Sequence, residues 1–149
     1  MTLKQKVHQH YVSILNDKIS MLRQVLADLK ESGANETKSS AGDKHETALA
    51  MLQIEQANNR EQLAQLVAQK VLLEKINPAI VAAIVVMGSL VKTDKGYLFV
   101  SVALGKAVID GISFTSLSPQ SPLGHQLMGL KEKDTASINN TRYYIEAIE

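Results

Sequence analysis

The sequence predicts an α+β protein. An N-terminal antiparallel coiled-coil hairpin of two long α-helices is expected over residues 1–77, and a small antiparallel β-sheet domain with one short helix over residues 78–149. Three observations carry this reading. Apolar side chains recur every three or four positions through the first half. No proline occurs before Pro78. The second half holds all three prolines, six of the eight glycines and both phenylalanines, the punctuation of short strands and turns.

His8, Val12, Leu15, Ile19, Leu22, Leu26 and Leu29 repeat with 4,3 spacing, a one-sided seam suited to packing on another helix. Lys4, Asp17, Lys18, Asp28 and Lys30 fall off that stripe. The polar run from Glu31 to Gly42, with glycine at both 33 and 42, is expected to be a loop. A second helix is expected from about Asp43 to Lys75. Leu49, Leu52, Leu63, Leu66 and Leu73 form its apolar side, interrupted in register by Gln56 and Asn59. At ~1.5 Å per residue each helix is on the order of 45 Å long, so the connecting loop is expected to stand far from any globular body. Pro78 marks the seam between the halves, because a residue before proline is pushed out of helical geometry.

Beyond the seam, Val85 to Lys92, a turn over Thr93–Gly96 and Tyr97 to Ala103 form a hairpin pattern. Lys106 to Leu117 is a further extended stretch. Ser121, Pro122 and Gly129 suit the cap, first turn and end of a short helix. Ala136 to Ile138, a turn at Asn139-Asn140, and Arg142 to Ile148 give a last hairpin.

Composition excludes several classes. The 149 residues carry 16 basic and 15 acidic side chains, a net charge of +1. The halves hold 10 basic and 9 acidic, then 6 and 6. A near-neutral chain is poorly suited to sequence-independent coating of nucleic acid. The absence of cysteine excludes disulfides, thiolate zinc sites and thiol nucleophiles. No apolar run approaches the roughly 20 residues of a membrane span, and the first residues form no signal-peptide core. A cytoplasmic location and no membrane partner are expected.

No segment makes a self-sufficient active site. There is no phosphate-binding loop or dinucleotide fingerprint, and Ser89 lacks the nucleophile-elbow pattern. His8 and His10 point in different directions on a helix, and His125 has no acid nearby in sequence. His45 reads as a solvent-facing residue, and Met51, Met87 and Met128 read as core filler. The most informative segment is Gly42-Asp43-Lys44-His45-Glu46. Asp43 and Glu46, three apart at a helix start, share one face. They suit an N-cap with a capping box. They also suit a carboxylate pair that holds a hard divalent cation such as magnesium together with a second molecule. Lys38, Lys44 and Arg60 are basic residues at or below this tip that could contact phosphate.

Two segments together resemble the Gre family of bacterial transcript cleavage factors, over nearly the whole chain. Ala41-Gly42-Asp43-Lys44-His45-Glu46-Thr47-Ala48 is similar to the family's tip motif, in which Gly-Asp is followed by an acid three residues after the Asp. The stretch from Ser118 to Gly129, with Ser121-Pro122-Leu123-Gly124, is similar to its Ser-Pro-Leu/Ile-Gly signature. The resemblance implies an FKBP-like fold for the second half. It implies a monomeric partner of bacterial RNA polymerase that docks at the rim of the secondary channel and inserts its hairpin. Ser121, Pro122, Leu123 and Gly124 become docking candidates. Lys38, Lys44 and Arg60 become candidates for contacts with polymerase or the nascent RNA 3′ end. Asp43 and Glu46 would help hold a magnesium ion shared with the polymerase, with none bound by the factor alone. The polymerase, not this chain, would hydrolyse backtracked RNA by two-metal chemistry.

The chain departs from the family pattern at Lys44, Thr47 and Ala50, where Leu, Asn and Tyr are common, and at Asn139-Asn140-Thr141, which replaces a Pro-Gly-Gly turn. An alternative in the same setting is a secondary-channel regulator that stimulates no cleavage. A prolyl isomerase is a third reading, suggested only by the FKBP-like fold, which does not carry function by itself.

Overall fold

The computed structural model describes residues 1–37 and 43–149, and the side chains of these outside 35–45. The chain order is α1 (Leu3–Thr37), α2 (Asp43–Lys75), β1 (Leu90–Thr93), β2 (Gly96–Val100), β3 (Gly105–Ile109), β4 (Ile112–Leu117), α3 (Pro122–Leu127), β5 (Thr135–Ile138) and β6 (Thr141–Ile148). The described residues form two compact units, one of 1–13 with 71–149 and one of 14–70. The seam expected at Pro78 lies inside the first of these.

α1 starts on a reciprocal cap. Thr2 Oγ1 accepts from the Gln5 amide at 3.2 Å, and Gln5 Oε1 accepts from the Thr2 amide at 2.8 Å. Two donors that lack helical partners are thereby satisfied. The helix runs to Thr37, so residues 31–37 are helical and not the expected loop. No proline interrupts them, and Gly33 is tolerated inside a long helix at a cost of about 1 kcal/mol. The rest of that expected loop, 38–42, lies outside the described residues.

In the helical unit, the seams follow the 3,4 spacing. On α1, Leu15 and Ile19 are buried, and Leu22, Leu26, Leu29 and Gly33 are half-buried among exposed neighbours. On α2 the half-buried row is Leu49, Leu52, Gln56, Asn59, Leu63 and Leu66. Asn59 tolerates this place because its Nδ2 donates to the Glu55 carbonyl of its own helix at 2.9 Å.

The sheet unit is built on a six-stranded sheet of order β3-β4-β2-β1-β6-β5. It is not wholly antiparallel. β2 and β4 run parallel, Tyr97 opposite Phe114 through Val100 opposite Leu117. Between them the chain crosses to the edge as β3 and returns. The stretch expected as one strand over 106–117 is therefore a hairpin, β3 with β4. Asp110 (φ 52°) and Gly111 (φ 77°) turn it, a pair that favours left-handed backbone. Residues 85–89, expected in the first strand, precede β1 instead. The Asn139-Asn140 turn forms as expected, with φ of 48° and 64°.

One face of the sheet carries Val91, Leu98, Val100, Leu117, Ile145 and Ile148, which pack with Leu127 of α3. The other carries Phe99, stacked on Tyr11 with centroids 6.2 Å apart and met edge-on by His8 at 6.4 Å. The Tyr11 hydroxyl donates to the Gly105 carbonyl at 2.9 Å. The first turns of α1 therefore belong to the sheet unit. Their buried residues are Lys4, Val7 and Tyr11, one step round the helix from the expected His8–Val12 stripe. Lys4, expected off the packed face, is buried. His8 Nε2 lies 2.7 Å from the Leu73 carbonyl, so the start of α1 runs beside the end of α2.

Candidate functional site

Asp43 is the first residue of α2, and Glu46 follows in the same turn. Their spacing places them about 60° apart around the axis, with a rise of about 4.5 Å. Glu46 is exposed, with no ion pair to another described residue. The side chains of Asp43, Lys44 and His45 lie outside the described residues, as does the whole of Lys38. Whether Asp43 caps the helix and Glu46 completes the box thus falls outside the description too.

Arg60 is exposed on α2. It stands fourteen positions after Glu46, close to four whole turns, so it lies about 21 Å further along and within about 40° of the same face. Arg60 therefore shares a side of the helix with Glu46, is about 100° round the axis from Asp43, and lies too far along to cluster with the acids. Among the described residues, no group of three or more His, Cys, Asp or Glu side chains could hold a metal ion. The donor set that fits magnesium is the pair of carboxylates, hard oxygen ligands that leave most coordination positions to other molecules.

The second candidate segment has an evident local architecture. Ser121 caps α3, its Oγ accepting from the Gly124 amide at 3.1 Å and donating to the Ser118 carbonyl at 2.6 Å. Pro122 fills the first helical turn, where its missing N–H costs nothing. Leu123 packs against the core. Gly124 is buried with the Ser118 carbonyl oxygen where a side chain would begin. Of these four docking candidates, only Pro122 is exposed.

Other singled-out residues resolve differently from expectation. Met51 is 66% exposed, and Met87 and Met128 are also on the surface, so none of the three is core filler. Ser89 is buried and accepts from the Val86 amide at 2.9 Å. Sequence reasoning missed Lys4. Its Nζ donates to the Ile80 carbonyl at 2.6 Å, and burial holds its ammonium below the usual lysine value despite the opposing charge of Glu149. Spacing contained a signal, since Lys4 lies in register with Val7 and Tyr11.

No protein-family model and no curated protein matches the chain. Among solved structures, it is similar to the GreA factor homolog 1 (Gfh1) protein of Thermus thermophilus. That match has 16% identity and a TM-score of 0.34, covering 97% of this chain and 93% of the other. A structure described as the transcription factor Gfh1 matches at 18% identity and a TM-score of 0.36, with 92% of each chain covered. Likeness at this level carries no functional inference. No helix among the described residues is long and apolar enough to cross a membrane.

Proposed function

We propose that the chain is an accessory factor of bacterial RNA polymerase that lends the carboxylates of Asp43 and Glu46 to the polymerase's active centre. The observation that carries this reading is an acid pair in the first turn of a 33-residue helix, with Glu46 exposed and without an ion pair to another described residue. It agrees with the Gre-like tip and Ser-Pro-Leu-Gly segments of the sequence. Asp43 and Glu46 would hold a magnesium ion jointly with the partner, an ion that supplies charge neutralisation at the scissile phosphate. Each carboxylate offers oxygen ligands and can orient a water. Lys38, Lys44 and Arg60 would contact polymerase or RNA, and the Ser121–Gly124 turn would present Pro122 at the docking surface. The chain is then an activator of another enzyme's hydrolysis and not itself an enzyme, acting in the cytoplasm as a monomer.

Lys44, Thr47 and Ala50 at the tip favour a second reading, in which the factor occupies the channel and alters initiation without stimulating cleavage. One experiment separates the two. RNA cleavage by stalled polymerase is measured with wild type and with the Asp43→Ala, Glu46→Ala double variant, and polymerase binding is measured for both. Stimulation lost in the variant with binding retained supports the first reading. Equal cleavage by both proteins rejects it, and altered initiation in that case supports the second.

A further inference from the structure

A half-open pocket of about 370 Å³ lies in the sheet unit beside the start of α1, at the small end of the roughly 300–1,000 Å³ usual for ligand sites. Leu72, Ile76, Ile80, Val86 and Met87 give it apolar walls. Two lining residues are cations, Lys4 and Lys75, and none is acidic. Lys4 is only 5% exposed. An ammonium has three protons to donate, and one goes to the Ile80 carbonyl. Glu149 acts on Lys4 through space without forming an ion pair with it. Ile80 of the wall is itself 63% exposed.

We propose that this pocket binds a small aliphatic monocarboxylate, with its tail on the apolar wall and its head group on the Lys4 ammonium. The chemistry selects this class. Apolar walls favour a hydrocarbon tail. A buried cation with protons left over favours an anion, because a charge-assisted hydrogen bond supplies what burial removed. A phosphate dianion would need more donors than Lys4 has free. Lys75 at the rim adds attraction of the same sign. Burial already holds the Lys4 ammonium below the usual lysine value, and a bound carboxylate would raise it again. The proposal does not depend on the polymerase reading.

Calorimetric titration of the full chain with octanoate, octanol and octylamine tests it. Octanoate is expected to bind about tenfold or more tighter than octanol, and octylamine more weakly than both. Lys4→Met, which keeps the length and removes the charge, is expected to weaken octanoate about tenfold and leave octanol unchanged. Circular dichroism verifies that the variant is folded. If it is not, amide NMR of the wild type decides. Octanoate should then shift the Gly88 and Ser89 signals, and shifts confined to other regions overturn the proposal. Equal affinity for octanoate and octanol overturns it. So does a peptide with an apolar C-terminal residue that binds where octanoate does not.

Discussion

Gly124 stands where α3 passes the carbonyl of Ser118, and Ser121 uses its hydroxyl as both donor and acceptor in the same turn. A methyl group at position 124 has no room without moving backbone. Gly124→Ala is therefore expected to cost about 1–3 kcal/mol, read as a lower urea midpoint with unchanged slope. Tyr11 joins α1 to the sheet through its ring and its hydroxyl. Tyr11→Phe keeps the stack on Phe99 and removes the bond to the Gly105 carbonyl, with an expected loss of about 1 kcal/mol by the same measurement. Asp94 illustrates pH linkage. Its Oδ1 accepts from the Tyr144 amide at 2.9 Å, and this bond, helped by Lys95, holds the carboxyl below its ordinary value of 3.8. A depressed carboxyl stabilises the fold above that value, and the contribution is lost as pH falls through the lower folded value. Asp94→Asn should therefore flatten the stability profile below about pH 4, and leave its shape near neutrality unchanged.

The elements show which signals a sequence exposes and which it hides. The Thr2–Gln5 cap holds the turn from which Lys4 and Val7 pack. Thr2→Ala is expected to cost about 1 kcal/mol, seen as a lower thermal midpoint. The α2 row places Asn59 between Leu52 and Leu63, and its bond back to Glu55 leaves no obligation to a partner. Asn59→Leu should raise the melting temperature by a few degrees, about 4 °C for each kcal/mol gained, measured by calorimetry. The heptad rows, the Asn139-Asn140 turn and the Ser121 cap were legible, because each rests on spacing or on backbone preference within a few residues. Asp110-Gly111 obeys the same rule as Asn139-Asn140. Apolar residues flank it on both sides, so β3 and β4 look like one run in the sequence. Glycine-free residues 34–37 look like a loop by composition, yet a helix already thirty residues long extends easily, since propagation is far cheaper than nucleation.

Across the whole molecule, what local patterns cannot carry is who neighbours whom. The parallel β2–β4 pair, the burial of Lys4 and the membership of residues 1–13 in the sheet unit all depend on contacts far apart in sequence. The acid pair at 43 and 46 was visible because it needs only three residues, whereas the Lys4 pocket draws on residues 4 and 72–89. The close approach of His8 to Leu73 gives a whole-chain expectation. Replacing residues 14–70 with a short flexible loop should leave the sheet unit folded, judged by dispersed amide NMR signals and a cooperative melt. The same discontinuity governs the order of assembly during synthesis. β6 lies inside the sheet between β1 and β5, and Glu149 exchanges both backbone hydrogen bonds with Leu90. The first turns of α1 therefore have no complete sheet to pack on until β6 has been made, while the intervening helices emerge before it and are free to zip together first.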